Sequence, residues 1–171
     1  IIFPATLCPS PAYAALYAGH SPLFCDIDPQ TGNMDPVALE ALLANSRDVV
    51  AIVAAHLYGQ PPDMAALCFA AEQHDIPVIE DIAQGLGATM PDGTPSGSSG
   101  NCAILSFGHT KIIDAGYGGA LVTDDEQLAD RLHAAECNLA TPDPACANLA
   151  ASYSQNYYRI RDAAESNLHA N

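Results

Sequence analysis

Short apolar runs alternate with longer segments of helical spacing along this chain. "DVVAIVAAH" (48–56) is a continuous run rich in β-branched residues, the mark of a strand covered on both faces. "PLFCDID" (22–28) and "IPVIED" (76–81) are strand-like and end in acids, and "CAILSF" (102–107) and "GGALVTD" (118–124) are two further strands. "DPVALEALLANS" (35–46) places Pro36 in a first turn and apolar residues at helical spacing, so it predicts a helix. "DMAALCFAAEQHD" (63–75) and "DEQLADRLHAAECNLA" (125–140) predict two more, the last with acids in its first turn. This alternation predicts an α/β fold with a mostly parallel sheet, right-handed crossovers putting helices on both faces. The Gly-, Ser- and Pro-rich stretch 87–101 reads as a surface turn. The chain opens on what reads as the end of a strand, without Met, and closes in a helical pattern. It is therefore expected to be a piece of something longer.

In an open α/β sheet, ligands bind beyond the carboxyl ends of the strands. His56, Asp81 and Ser106 fall at or near such ends, so they are expected to be neighbours. Close by is Lys111, the only lysine in 171 residues. A partly desolvated lysine amine beside polar groups condenses with aldehydes, and pyridoxal phosphate is the cofactor that uses this chemistry. Its pyridine nitrogen needs a carboxylate, which Asp81 can supply. Its phosphate needs hydroxyls and backbone N–H groups, and Ser106 offers a hydroxyl. Gln84, three residues past Asp81, can bond the ring hydroxyl. Gly116, Gly118 and Gly119 let the backbone turn closely beside the lysine. Each residue also has a plain reading. Asp81 could cap a helix, Ser106 could be a satisfied strand-end hydroxyl, and His56 could simply bond to backbone.

Composition narrows the classes. Apolar residues make up 49% of the chain, and 20 acids face five Lys and Arg, for a net charge of −15. That argues against binding nucleic acid or anionic membrane through a general basic surface, though a local anion site needs no lysine. The six cysteines show no CxxC or zinc-type spacing. Most sit in apolar runs and are expected to be small buried side chains, Cys8 included, in a reduced, cytoplasmic setting. No stretch is long and apolar enough to span a bilayer. "IIFPATLCPS" lacks the features of a signal peptide. His74 and His109 are expected at the surface or in turns, and Tyr153, Tyr157 and Tyr158 are expected to pack a helix rather than bind a ligand.

"VIEDIAQGLGA", "SFGHTK" and "GGALVTDD", together with "FPATLCPSPAYAALYAGHSPLFCDID", "HLYGQPPDM" and "DDEQLADRL", resemble the DegT/DnrJ/StrS-type sugar aminotransferases over roughly residues 1–136. The resemblance implies the three-layer α/β/α large domain of pyridoxal-phosphate-dependent transferases of fold type I. Residues 1–140 would be the central part of that domain, and 141–171 a helical connection towards an absent small C-terminal domain. It implies Lys111 as the lysine that binds the cofactor covalently, Asp81 as the pyridinium partner, Gln84 at the ring hydroxyl and Ser106 at the phosphate. Cys8 stands where the family often stacks an aromatic residue on the cofactor ring, and His56 falls at a motif position near the cofactor. No metal is implied. The implied activity moves an amino group from glutamate to a nucleotide-linked keto-sugar, for a polysaccharide or a secondary metabolite, in a cytoplasmic homodimer. Two rivals stand beside it. One is a sugar dehydratase, in which a histidine replaces the lysine, so that Lys111 counts against it. The other is a truncated, non-catalytic remnant of the same fold.

Overall fold

The computed structural model describes residues 1–139 and, beyond them, Asn148, Ser152, Gln155, Asn156, Tyr158, Arg159 and Asp162. Six strands form one sheet: β1 (Ile2–Pro4), β2 (Leu23–Cys25), β3 (Ile52–Ala55), β4 (Val78–Asp81), β5 (Cys102–Ser106) and β6 (Gly119–Val122). Their spatial order is β2-β1-β3-β4-β5-β6. Every neighbouring pair is parallel except β5–β6, which is antiparallel. The predicted strands are all present, each shorter than its apolar run. The expected opening strand is β1.

Four helices accompany the sheet: α1 (Pro9–Tyr17), α2 (Pro36–Asn45), α3 (Met64–Glu72) and α4 (Glu126–Glu136). Side chains of Asp35, Asp63 and Asp125 cap α2, α3 and α4, accepting from the N–H groups of Val37, Ala66 and Leu128 at 2.9–3.1 Å. Each such cap is worth about 1 kcal/mol. Helix α1 was not anticipated from the sequence. Cys8 at its N-cap makes no side-chain cap bond, and "PSPAYAALY" carries little apolar periodicity, so it lacks both usual signals.

The two cores follow from strand alternation. Ile52, Ala54 and Val78 pack on one face with Leu39 and Leu43 of α2 and Met64, Leu67 and Ala71 of α3. Phe3 and Val53, with Ile79 against them, pack on the other face with Ala12 and Ala15 of α1. The connections from β1 to β2 and from β1's other neighbour β3 to β4 run in opposite directions across the sheet, so their helices cover opposite faces. The strand order therefore reverses at β1 and β3, which makes the mouth between them the expected ligand position.

The link from β4 to β5 has no crossover helix. Residues 82–101 serve instead, with an isolated Thr89–Pro95 bridge and Met90 buried in the α2/α3 core. This revises the expectation of a simple surface turn: the stretch covers a sheet face where a helix would otherwise lie. The helical connection and second domain expected from residue 141 onward, and Tyr153 and Tyr157, lie outside the described residues. Among the described residues no helix is long and apolar enough to cross a membrane.

Leu67 is fully buried whereas Phe69, two residues on, is 61% exposed. Leu67→Ala should cost about 2–5 kcal/mol by cavity formation and Phe69→Ala no more than about 0.5 kcal/mol, as read from urea unfolding midpoints.

Candidate active site

The site forms where four segments leave the carboxyl edge of the sheet. Leu7 and Cys8 follow β1, His56 and Leu57 follow β3, and Asp81 to Gln84 end β4, all around a cleft that Lys111 also lines. Lys111 sits in the β5–β6 connection. That connection is closed by Phe107 N–H to Gly118 O and Ala115 N–H to Phe107 O, both 2.9 Å. Gly119 starts β6 because a Cβ there would stand 2.5 Å from Leu105 O. The Tyr158 hydroxyl bonds both His109 O and the Asp114 carboxylate (2.6 Å for the latter), bracketing the lysine. The tyrosine uses its hydroxyl to tie down this loop.

Asp81 is half-buried on the α1 side of the sheet, the side of Ile79. Its Oδ1 accepts from Ala83 N–H at 3.0 Å, so the turn is fastened by one oxygen. Among the described residues no hydrogen bond occupies Oδ2. Gln84 is exposed, and its Oε1 accepts from Tyr58 N–H at 3.1 Å. That anchor holds Tyr58 in the left-handed region at φ 55°.

Ser106 is brought to the same edge but not into the same cleft. Asp81 and Ile104 are register partners, so Ser106, two residues on, lies at the end of the next strand on Asp81's face. Cys8 is exposed, contrary to the expectation of burial. It leaves β1 at the first turn of α1, where the chain lifts off the sheet. The Ser10 hydroxyl, 3.5 Å from its sulfur, leads in holding the thiol below the ordinary value; burial and the Asp81 charge oppose this, and nearby Lys111 adds to the lowering. Cys25, by contrast, is pushed up to about 11 by burial, with Asp35 and Asp26 adding. His74 is exposed and His109 lies in the turn before Lys111, as expected.

His56 departs most from its sequence reading. It is fully buried and lines the cleft, but its ring nitrogens are engaged elsewhere. Nδ1 lies 3.1 Å from Ser96 Oγ and Nε2 lies 2.9 Å from Glu80 Oε2, close though not aligned as a hydrogen bond. The ring therefore offers the cleft no nitrogen. Its position explains Gly85, where a Cβ would stand 2.6 Å from the His56 Cβ.

Glu80 was missed from the sequence. It is fully buried on the α2/α3 side, accepting from Ser99 and Gly100 N–H at 2.6 Å and from Gly97 N–H at 2.9 Å. Burial raises its pKa, but His56 and the three backbone donors outweigh that and hold it below the ordinary 4.5. The available signal was an acid at an inward strand position facing a loop of free N–H groups, "SGSSG". Among the described residues no cluster of metal-ligating side chains is present.

Residues 1–143 match the DegT/DnrJ/EryC1/StrS aminotransferase family. The chain belongs to that family. It is 41% identical over 132 residues to a GDP-perosamine synthase of Caulobacter vibrioides, covering 77% of this chain and 35% of that protein. It is 42% identical over 111 residues to an L-glutamine:2-deoxy-scyllo-inosose aminotransferase of Streptomyces lividus, covering 65% and 26%. Among solved structures it superposes on DesI with its TDP-sugar product, at TM-score 0.72 and 38% identity, over 78% of this chain and 33% of that one. The chain thus spans about a quarter to a third of the length of these relatives. The fold expectation stands: this is an α/β, mostly parallel piece of the aminotransferase fold.

The lowered Glu80 carboxyl gives a signed pH dependence. The unfolded chain binds this proton at a higher pH than the folded chain does, so Glu80's contribution is complete above about 4.5 and is lost as pH falls through its lower folded value. Asp92 and Asp114 act in the same direction, so the Glu80→Gln difference isolates one group. The variant should be less stable than the parent at pH 7, by about 3 kcal/mol or more, and the gap should narrow below pH 4.5, as read from urea midpoints.

Proposed function

We propose that the chain is part of a pyridoxal-phosphate-dependent aminotransferase that moves an amino group onto a nucleotide-linked keto-sugar. The observation that carries this is the single lysine of the chain lining one cleft with the Asp81 carboxylate. The donor set fits the cofactor. It offers an amine, a carboxylate with one oxygen left over, an amide and a soft thiol around a cleft at the strand-order reversal. Lys111 would hold the aldehyde end, and Asp81 Oδ2 a protonated ring nitrogen. Gln84 would lie at the ring hydroxyl, Cys8 on a ring face and Ser106 towards the phosphate. Bound there, pyridoxal phosphate would supply an electron sink for the carbon bearing the amine. Lys111 Nζ, freed by the donor's amine, would take and return a proton at the substrate carbon. Asp81 would keep its partner nitrogen protonated. His56 would support the wall without touching the ligand through its ring nitrogens.

Substrate and donor rest on the relatives. The GDP-perosamine synthase and the TDP-sugar product bound to DesI favour a nucleotide sugar. The name of the Streptomyces lividus relative favours a free cyclic ketone and glutamine as donor, a second reading that substitutes for the expected glutamate. We place the protein in the cytoplasm as a homodimer. Exposed Ile112, Ile113 and Tyr117 beside Lys111 suit a site completed by a second copy.

After incubation with pyridoxal phosphate and borohydride, peptide mass spectrometry should find the pyridoxyl label on Lys111. The label should vanish in Lys111→Ala, leaving the N-terminus as the one competing amine. Label spread only to the N-terminus would sink the cofactor assignment. In the full-length parent, Lys111→Ala should lose about 10²–10⁴-fold or more of its transamination rate. Paired assays with a nucleotide-linked keto-sugar and a free cyclic ketone decide between the two substrates.

A further inference from the structure

Glu80 and Asp81 are adjacent in sequence and lie on opposite faces of β4. Only Asp81 lines the cleft, so Glu80's burial needs its own account. Its carboxylate meets three backbone N–H groups of 97–100 and the His56 ring. Those bonds explain why the irregular crossover stays on the sheet. They do not explain the histidine, because the three N–H groups already hold the carboxylate in place.

His56 touches both sides. On the crossover side its ring meets Ser96 and Glu80. On the cleft side its N–H donates to Asp81 O at 2.9 Å. Its Cβ fills the space that Gly85 leaves, and the residue after next, Tyr58, donates its N–H to the Gln84 side chain. The turn 81–85 that presents Asp81 and Gln84 to Lys111 therefore rests on His56, and His56 rests on Glu80.

We infer that Glu80 is a positioning residue for the cleft. Acting through His56, it sets the turn that carries Asp81 and Gln84, so that the crossover on one face of the sheet and the cleft on the other move as one unit. This deepens the pyridoxal phosphate reading and rests on it for the nature of the ligand, but the mechanical coupling itself does not need a cofactor.

The test separates the two. Amide hydrogen exchange on the whole chain without cofactor compares the parent with Glu80→Gln, which keeps the shape and removes the charge. Beyond the uniform rise that lower global stability brings, exchange should quicken by about tenfold at Ala83 and Tyr58, whose N–H groups bond Asp81 and Gln84. It should also quicken at Gly97, Ser99 and Gly100. A pyridoxal phosphate titration should then show a dissociation constant raised by about 10-fold or more, the scale on which outer partners act on bound groups. Ser96→Ala removes the ring's other anchor without touching the buried charge. It should give the same pattern at Ala83 and Tyr58 in smaller measure, and it decides the matter if Glu80→Gln does not fold. Faster exchange confined to 97–100, with Ala83 and Tyr58 unchanged, would overturn the inference and leave Glu80 a clamp for the crossover alone. A parent that binds no pyridoxal phosphate would defeat the cofactor assignment, and the exchange pattern would still decide the coupling.

Discussion

The structure turns on the pleat of β4. Val78 and Glu80 face the α2/α3 core, and Ile79 and Asp81 face the α1 side. One strand thus sends two consecutive carboxylates in opposite directions. Asp81 ends in the cleft, open to a ligand and to Lys111. Glu80 ends in a dry pocket where its charge is tolerable only because backbone N–H groups and an imidazole surround it. A shift of one residue in the β3–β4 register would exchange the two environments and destroy both. Matched pairs running from Ile52↔Val78 to Ala55↔Asp81 prevent that shift.

The missing crossover helix shapes the rest. A helix would satisfy its own N–H groups, whereas an irregular segment lying over a sheet must borrow acceptors. Glu80 lends two oxygens to three donors, and Asn101 completes the seam by pairing with Val78 in both directions, each bond 2.8 Å. The sheet's second face is therefore closed by a buried anion as well as by apolar packing. Although the chain carries a net charge of −15, this anion is kept apart from solvent. The chain's lone lysine stands on the opposite side, beside the other carboxylate.

Much of this was legible beforehand because it is local. Strand and helix positions follow from periodicity and from aspartate caps, and the gathering of Asp81, Gln84 and Lys111 follows from strand ends and motif spacing. Helix α1 was not legible, since its sequence carries neither a capping side chain nor a clear apolar stripe. Cys8 was misjudged as buried because an apolar neighbourhood in sequence says nothing of where the chain lifts away from the sheet.

The residue types and their order alone determined the α/β class, the family and the amine–carboxylate pair, since each depends on spacing within one segment or at one strand end. Only the tertiary structure decided the fate of His56 and Glu80. Their partners lie 40 and about 20 residues away, at Ser96 and in Gly97–Gly100, and nothing in a one-dimensional pattern announces which loop will fold back over which face. A buried charge is readable only once its donors are in place, because its burial and its partners are a single fact about the folded chain.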